Sequence, residues 1–334
     1  MNADGLDDLV AVSQATSSPS TLDVLLAYRD GGFSNGSLFP IVGPIFATES
    51  VALGDFNQDG RPDAVTATCS SGQSMWTGLM LGTEDGGFSL ATVLDAGTYQ
   101  GNRQILSGDF DNDGRLDFVM DAASLAVFMN AGDGGFVSTP ALVGGGIQAG
   151  WGSVTRMTAA DFNGDGCVDL AATSLGSNVT TWLSECDGGF GPAINSSCGY
   201  ECAVLTAGDL NGDGLLDLAT GGWAGQASVS ILLGNGDGTF VLQPGNYPVG
   251  FQPLRILAGA FSHEDRIDLV VSSAGSPFLS VLVGEGDGGF EAPTALSTGR
   301  WGPPENLAKG DFNGDGRLDL VAAESGGFLV YFGK

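Results

Sequence analysis

The chain is poor in positive charge, with 11 lysine and arginine residues against 39 aspartate and glutamate residues in a length of 334. The formal net charge of −28 excludes nucleic acid as a partner, because the phosphate backbone would be repelled. Histidine is almost missing as well. Without the single histidine, His263, no serine–histidine–aspartate set can be assembled. We therefore expect that the chain is not an enzyme.

Long apolar segments and helical periodicity are also lacking. No stretch is long and apolar enough to span a membrane, so we expect no membrane insertion. No segment keeps a helical pattern, and 56 glycines are too many for a helical protein. These absences predict an all-β chain.

Short acidic loops are abundant, as in "GDFNGDGRLDL" at residues 310–320. This stretch places acidic or amide side chains at Asp311, Asn313, Asp315 and Asp319, with Gly316 between the last two. Carboxylates this close repel one another unless a cation lies among them. The spacing is similar to the start of an EF-hand calcium loop, without its bidentate glutamate. Aspartate–glycine clusters are also ordinary turn formers, which is the alternative explanation.

The loop occurs in five complete copies, and turns alone do not explain the same ligand positions in each copy. We predict about five Ca²⁺ ions, with position 7 of each loop contributing only a backbone carbonyl. The predicted ligands are Asp55, Asn57, Asp59, Arg61 and Asp63; Asp109, Asp111, Asp113, Arg115 and Asp117; Asp161, Asn163, Asp165, Cys167 and Asp169; Asp209, Asn211, Asp213, Leu215 and Asp217; and Asp311, Asn313, Asp315, Arg317 and Asp319. A further copy at 260–268 has lost the first ligand and the glycine, so we expect it to bind no metal.

The loops recur with a regular period, starting near residues 1, 55, 109, 161, 209, 260 and 311. Each unit has apolar runs before and after the loop, then a third run that ends in a turn such as "GNGDGTF" at 234–240. Such turns between apolar runs indicate hairpins, and four-stranded units at this period indicate propeller blades. We predict seven blades in one domain over residues 1–334. The two end blades have three strands each, which gives 26 strands, and we infer a chain cut from a longer one. The alternative is that the ring closes by an irregular pairing of the two incomplete end blades.

The motifs "GDFNGDG.LDL" and "LLGNGDGTF" resemble the FG-GAP/VCBS repeats of integrin-α-type propellers. The resemblance implies a seven-bladed calcium-binding β-propeller, with metal in the loop between the first and second strands of each blade. It also implies partner binding mainly at the opposite face. Similar propellers occur in mushroom lectins, in integrin α chains and in some sugar lyases and dehydratases.

Three hypotheses for function follow from this resemblance. The leading one is a non-enzymatic, secreted or cell-surface module that binds a glycan. The second is an adhesion module that binds an extracellular protein, for which the segment 139–156 is the best candidate surface. The third is a catalytic domain of the lyase or dehydratase kind. An acidic chain that binds calcium indicates an extracellular setting, because calcium sites of extracellular modules work at ~10⁻⁴ to 10⁻³ M.

Aromatic residues follow a glycine in the connections between blades. Together with polar neighbours they could stack on sugar rings. The candidates are Tyr99, Trp151, Tyr200 and Trp301 in these connections, and Trp76 and Trp223 between second and third strands. Packing between blades is the alternative role, which we favour for Phe46 and Phe251.

Four of the five cysteines are expected to form disulfides. The repeat frame predicts Cys167–Cys186, and the spacing in "CGYEC" predicts Cys198–Cys202, leaving Cys69 over. Disulfides are typical of an oxidising compartment.

Overall fold

A computed structural model describes the chain except for residues 3, 14–19, 42–47, 70–73, 99–103, 122–124, 133–134, 140–141, 143–153, 175, 223–226, 300–301, 325–326 and 334. The side chains of 48–49, 69, 74–75, 95–98 and 154–155 are not described either. The described residues form strands and connections, and none of them lies in a helix that could cross a membrane. The prediction of an all-β chain is confirmed.

The strands form seven separate antiparallel sheets, here called blades 1 to 7 in chain order. Blade 1 contains β1 (Leu9–Ser13), β2 (Thr21–Leu25) and β3 (Ser37–Pro40). Blade 2 contains β4 (Thr48–Gly54), β5 (Asp63–Cys69), β6 (Ser74–Gly82) and β7 (Phe88–Thr98). Blade 3 contains β8 (Ile105–Gly108), β9 (Asp117–Asp121), β10 (Leu125–Asn130) and β11 (Phe136–Ser138). Blade 4 contains β12 (Val154–Ala160), β13 (Asp169–Ser174), β14 (Asn178–Trp182) and β15 (Ile194–Ser197).

The remaining three blades continue the same order. Blade 5 contains β16 (Val204–Gly208), β17 (Asp217–Gly221), β18 (Ser228–Gly234), β19 (Phe240–Leu242) and β20 (Tyr247–Pro248). Blade 6 contains β21 (Pro253–Gly259), β22 (Asp268–Ser273), β23 (Phe278–Leu282) and β24 (Thr294–Ser297). Blade 7 contains β25 (Asn306–Gly310), β26 (Asp319–Glu324) and β27 (Gly327–Tyr331). The fold is a seven-bladed β-propeller with three strands in each end blade, as predicted.

Blade 5 differs from the prediction by one short strand. The segment Tyr247–Pro248 pairs with β18 beside β19, which brings the described strands to 27. The chain reverses at Gly245, whose φ is +126°. Tyr247 is then held by the N–H of Phe290, which donates to its hydroxyl oxygen at 3.1 Å. Two residues are too few for a sequence pattern, which explains why this strand was not expected.

The chain divides into two compact units, Met1–Val154 with Ser184–Gly191 and Thr155–Leu183 with Pro192–Lys334. The core of the first unit is built around the second strands of its blades. In β9 every residue is buried, as expected for a strand covered on both faces. Phe56, which follows the first aspartate of its loop, packs edge-on against Phe136 of the next blade.

The second unit has the same construction. Every residue of β13, β17 and β22 is buried. Phe162 packs edge-on against Phe240 of the next blade, with ring centroids 5.6 Å apart. The aromatic residues of the loop and turn motifs therefore join neighbouring blades, in addition to shaping the connections that contain them.

Candidate functional site

Each acidic loop connects the first strand of a blade to the second, and its last aspartate is fully buried. These aspartates, all with no exposed surface, are Asp63, Asp117, Asp169, Asp217, Asp268 and Asp319. In blade 3, Oδ2 of Asp117 accepts the N–H of Phe110 and Oδ1 accepts the N–H of Asn130, both at 2.8 Å. Asn130 is the last residue of the third strand, so this carboxylate links the acidic loop to the hairpin between the third and fourth strands of its blade.

The first aspartate of each complete loop organises the turn itself. In blade 7, Oδ1 of Asp311 accepts the N–H of Gly314 at 2.7 Å, and Oδ2 accepts the N–H of Gly316 at 2.9 Å. Gly316 has a φ of +80°, a conformation that favours glycine and explains its place in the motif. The N–H of Arg317 donates to Asp315 at 2.9 Å. The loop backbone is thereby wrapped around its own carboxylates.

Carboxylate oxygens converge within the loop of blade 3. One ligand oxygen from each of Asp109, Asp111 and Asp117 lies within 4.8 Å of the other two. Carboxylate, amide and carbonyl oxygens are the donors that Ca²⁺ takes, so this donor set fits a calcium ion. In the other four complete loops the third position is asparagine, which offers an amide oxygen in place of the carboxylate of Asp111.

The buried position of the last aspartate makes its ionisation costly. Burial raises the pKa of Asp117 to about 6, and it also raises the pKa of Asp63, Asp217 and Asp319. Removal of a carboxylate from water disfavours its charged form, and backbone N–H donors compensate only in part. A cation among these groups would supply the missing stabilisation.

The degenerate loop of blade 6 keeps the buried carboxylate but fills the neighbouring space differently. Oδ1 of Asp268 accepts the N–H of Gly284 at 3.0 Å, as in the complete loops. Oδ2 accepts both the N–H and the hydroxyl of Ser262 at 2.7 Å. The first position is Ala260, which offers no side-chain oxygen. The expectation that this loop binds no metal stays a prediction.

Blade 5 carries a polar cavity at the end opposite its acidic loop. The cavity has a volume of about 350 Å³, and β17 runs from the acidic loop at Asp217 to the cavity wall at Gly221. Its polar and aromatic lining includes Tyr200, Glu201, Ser228, Ser230, Gln243 and Asn246. Tyr200 has 59% of its surface exposed.

The connection that carries Tyr200 is fixed at both ends. Cys198 and Cys202 form a disulfide around it, as predicted. The N–H of Cys198 donates to the carbonyl of Ser177 at 2.9 Å, and that of Cys202 to the carbonyl of Gly176 at 3.0 Å. An exposed aromatic ring on so constrained a loop is prepared for contact with a ligand at low entropic cost.

Only some of the other predicted site residues are described by the structure, and two of these lie in surroundings that differ from the prediction. Tyr99, Trp151, Trp223 and Trp301 lie outside the described residues, as does Phe46. Trp76 was expected in a connection, but it lies half-buried within β6. Phe251 was expected to pack between blades, yet 56% of its surface is exposed. Cys167 and Cys186 are each disulfide-bonded.

Sequence reasoning did not identify Glu201, Gln243 or Asn246 as site residues. They come from two connections far apart in the chain, and no spacing rule links them. The one available signal was the "PGN" corner at 244–246, which is unlike the ends of the other blades.

Comparison with known proteins identifies a matching family and several solved structures with a similar fold. A family model described as the FG-GAP-like repeat matches residues 1–66, 161–220 and 265–322. The comparison with curated protein sequences gave no match. Among solved structures, a protein from Lactobacillus plantarum is 14% identical with a TM-score of 0.63, over 96% of this chain and 92% of that one.

Two further structures with this fold carry enzyme names. A candidate 6-phosphogluconolactonase from Bacteroides fragilis is 13% identical with a TM-score of 0.63, over 99% of this chain and 94% of that one. A periplasmic gluconolactonase from Pseudomonas aeruginosa is 16% identical with a TM-score of 0.60, over 98% of this chain and 94% of that one.

These two names overturn one prediction. The expectation that the chain is not an enzyme is wrong as drawn, because propellers of the same fold are named as lactonases. Its physical basis was the single histidine, and that argument addressed only one type of catalytic site. Identities of 13% and 16% establish a shared fold and carry no activity over to this chain.

Proposed function

Because the chain belongs to the FG-GAP-like repeat family, we propose that its acidic loops bind calcium and that the calcium-stabilised propeller binds carbohydrate outside the cell. The observation that carries the calcium proposal is the convergence of Asp109, Asp111 and Asp117 within 4.8 Å. The extracellular setting is supported by the disulfide Cys198–Cys202, since disulfides persist in oxidising compartments.

Five loops of the same construction support calcium as a component of the folded protein. Each complete loop combines a buried last aspartate, such as Asp319, with a half-buried first aspartate whose oxygens accept N–H groups of the turn, such as Asp311. Binding of a metal only to the folded state adds its binding free energy to the stability. The ions would also offset part of the net charge of −28.

Calcium binding is tested by titration of the calcium-depleted protein with calcium chloride, followed by calorimetry and by unfolding. We expect about five sites and a melting temperature that rises with calcium. Magnesium chloride is the matched control, because Mg²⁺ demands a tighter octahedral geometry and should stabilise less. A melting temperature that calcium leaves unchanged would remove the proposal.

The carbohydrate proposal rests on the cavity of blade 5. An exposed ring at Tyr200 can stack on a sugar face, and the side chains of Gln243 and Asn246 can bond to hydroxyl groups. Among the described residues that line the cavity, Glu201 is the one that carries a charge. Neutral or amino sugars therefore suit this cavity better than acidic sugars, whose carboxylate would lie near a like charge.

A glycan array probed with the tagged protein in millimolar calcium tests this proposal. We expect binding to neutral or amino sugars that is lost in Tyr200→Ala and weakened in Gln243→Ala. Tyr28→Ala is the matched control, since Tyr28 is 50% exposed and is not among the residues that line the cavity. Equal binding by Tyr200→Ala and the wild type would mean that the sugar binds outside this cavity. Absence of glycan binding by the folded wild type would contradict the proposal.

A second candidate function is hydrolysis of a sugar lactone, favoured by the names of the two lactonase propellers. Incubation with gluconolactone in a pH-stat measures acid release directly. Release above the rate of spontaneous hydrolysis, and its loss in Glu201→Gln, would favour this candidate, because Glu201 is the carboxylate of the cavity.

A further inference from the structure

The acidic loops of blades 2 and 3 are joined directly by one side chain. Nε2 of Gln58, in the loop of blade 2, donates to the carbonyl oxygen of Gly114, in the loop of blade 3, at 2.8 Å. Gln58 lies between the predicted calcium ligands Asn57 and Asp59. Gly114 directly precedes Arg115, the predicted carbonyl ligand at position 7. Within the first unit, this hydrogen bond therefore links two loops at positions next to their predicted ligands.

The backbone of Gln58 has a conformation that glutamine rarely adopts. Its φ is +60°, in the left-handed region. The complete loops of blades 4, 5 and 7 have glycine at this fourth position, with φ of +75° or +76°. Blade 3 has Asn112, a residue type that accepts the conformation more readily. A strained residue persists where surrounding contacts hold it, and the hydrogen bond to Gly114 is such a contact.

A second, buried connection links the last aspartates of the same two loops. Oδ2 of Asp63 accepts the N–H of Phe56 at 2.9 Å, and the carbonyl oxygen of Phe56 accepts Nδ2 of Asn130 at 2.8 Å. The N–H of Asn130 in turn donates to Oδ1 of Asp117 at 2.8 Å. Asn130 is 3% exposed, so this row of hydrogen bonds is shielded from water. It fixes the spacing of the two loops beneath the exposed bond of Gln58.

The bond of Gln58 gives a physical route for one ion to affect the other. A loop that binds an ion loses conformational freedom, because its ligands are held around the ion. An ion held by Asn57 and Asp59 would also restrain Gln58, and Gln58 would restrain the peptide group between Gly114 and Arg115. The loop of blade 3 would then lose less entropy when its own ion binds. Linkage requires that the effect in the opposite direction has the same size.

We propose that Gln58 couples the calcium sites of blades 2 and 3, so that an ion in one loop raises the affinity of the other loop for its own ion. This inference rests on the proposed calcium binding and deepens it, because it assigns a cooperative pair among the five sites. The loops of blades 4, 5 and 7 have no side chain at the fourth position to form such a bond. One exposed hydrogen bond corresponds to a change in affinity of about twofold to tenfold.

The test is hydrogen–deuterium exchange of the full chain, measured by mass spectrometry while calcium chloride is titrated into the calcium-depleted protein. The calcium concentration at half-maximal protection of residues 55–63 reports binding in blade 2. Asp113→Ala removes a ligand from blade 3 and should raise this midpoint about twofold to tenfold. Gln58→Met keeps a side chain of similar length without the N–H donor. In that background Asp113→Ala should raise the midpoint by clearly less.

Two further variants keep the result interpretable. Asp213→Ala is the matched control, because it removes the equivalent ligand from blade 5, whose loop has Gly212 at the fourth position. It should leave the midpoint of residues 55–63 unchanged. Gln58→Gly removes the side chain and also relieves the strained φ. Loss of coupling in this variant without a lower melting temperature would exclude a misfolded loop as the cause.

Three outcomes would overturn the coupling. They are equal midpoints in the wild type and Asp113→Ala, a rise of the same size in the Gln58→Met background, and a rise of that size in Asp213→Ala. Failure of the proposed calcium binding would look different, because calcium would then protect none of the five complete loops.

Discussion

The N–H of Gly284 donates to Oδ1 of Asp268 at 3.0 Å, in the one described loop of blades 2 to 7 whose first acidic ligand is replaced by alanine. The same bond joins Gly234 to Asp217 at 2.8 Å in a complete loop. The buried carboxylate therefore has a structural role in the blade that does not depend on the rest of the acidic motif. Blade 6 allows this role to be measured separately from metal binding.

We predict that Asp268→Asn lowers the free energy of unfolding by about 2–3 kcal/mol. In the variant, an amide N–H₂ group would face a backbone N–H donor at the position where a carboxylate oxygen accepts its hydrogen bond. A hydrogen bond to a charged group contributes about 1.5–3 kcal/mol, which sets the size of the expected loss. Urea unfolding in calcium and in EDTA measures the loss, which should be equal in both. A loss present only in calcium would mean that Asp268 acts through a metal.

We predict that the glycine at the end of the third strand of blade 5 is required because the neighbouring backbone leaves no room for a side chain. A Cβ on Gly234 would lie far inside contact distance of the carbonyl oxygen of Leu216. Gly234→Ala should therefore destabilise the protein by about 1–3 kcal/mol, the usual range for overpacking of a close contact. Thermal unfolding checks this, with Gly302→Ala as control because no atom lies within 4 Å of a Cβ there. Equal melting temperatures for the two variants would contradict the argument.

Calcium removal should affect complete and degenerate loops differently. Asp315 accepts the N–H of Arg317 in a complete loop, whereas Glu264 occupies the same position in the loop that begins at Ala260. Asp315→Ala should reduce the stabilisation by calcium by about 2.7 kcal/mol if calcium stands at about a hundred times Kd. Glu264→Ala should leave that stabilisation unchanged.

The measurement for this pair is the difference in unfolding free energy between calcium and EDTA. Taking the difference cancels the loss of loop hydrogen bonds, which both conditions share. A reduction of similar size in Glu264→Ala would show that the degenerate loop also binds calcium.

The fold was predictable because its information is local and repeated. Each "GDG" turn and each acidic loop marks the end of one strand and the start of another, so the blades and the three-stranded end sheets follow from position alone. The extra strand at Tyr247 escaped prediction, since it depends on a contact with Phe290 of the next blade. Local patterns carry no information about such a contact.

The candidate sites were predictable only in part for the same reason. The acidic loops are contiguous, and their spacing alone places the ligand positions of Asp109 and Asp117 in one turn. The cavity of blade 5 is assembled from distant segments. The role of Phe251 was misjudged because burial of an aromatic residue depends on the strands that happen to surround it.

The stability of the calcium-depleted protein should depend on pH through the carboxylate of Asp117. Burial raises the pKa of Asp117 to about 6 in the folded protein, from its ordinary value of 3.8. A raised pKa means that the folded state holds the proton more tightly than the unfolded state. The stability from this group is therefore fully present below pH 3.8 and is lost as pH rises through about 6.

Comparison of the wild type with Asp117→Asn, both depleted of calcium, isolates this effect, because asparagine does not titrate. The free energy of unfolding of the wild type, minus that of the variant, should fall as pH rises from 4 towards 7, over about the span of the two pKa values. Calcium binding to the wild type should strengthen over the same range, since the ion needs the ionised carboxylate that the proton otherwise occupies. A difference that rises with pH in the calcium-depleted protein would mean that the carboxylate is stabilised in its charged form by the N–H groups of Phe110 and Asn130 alone.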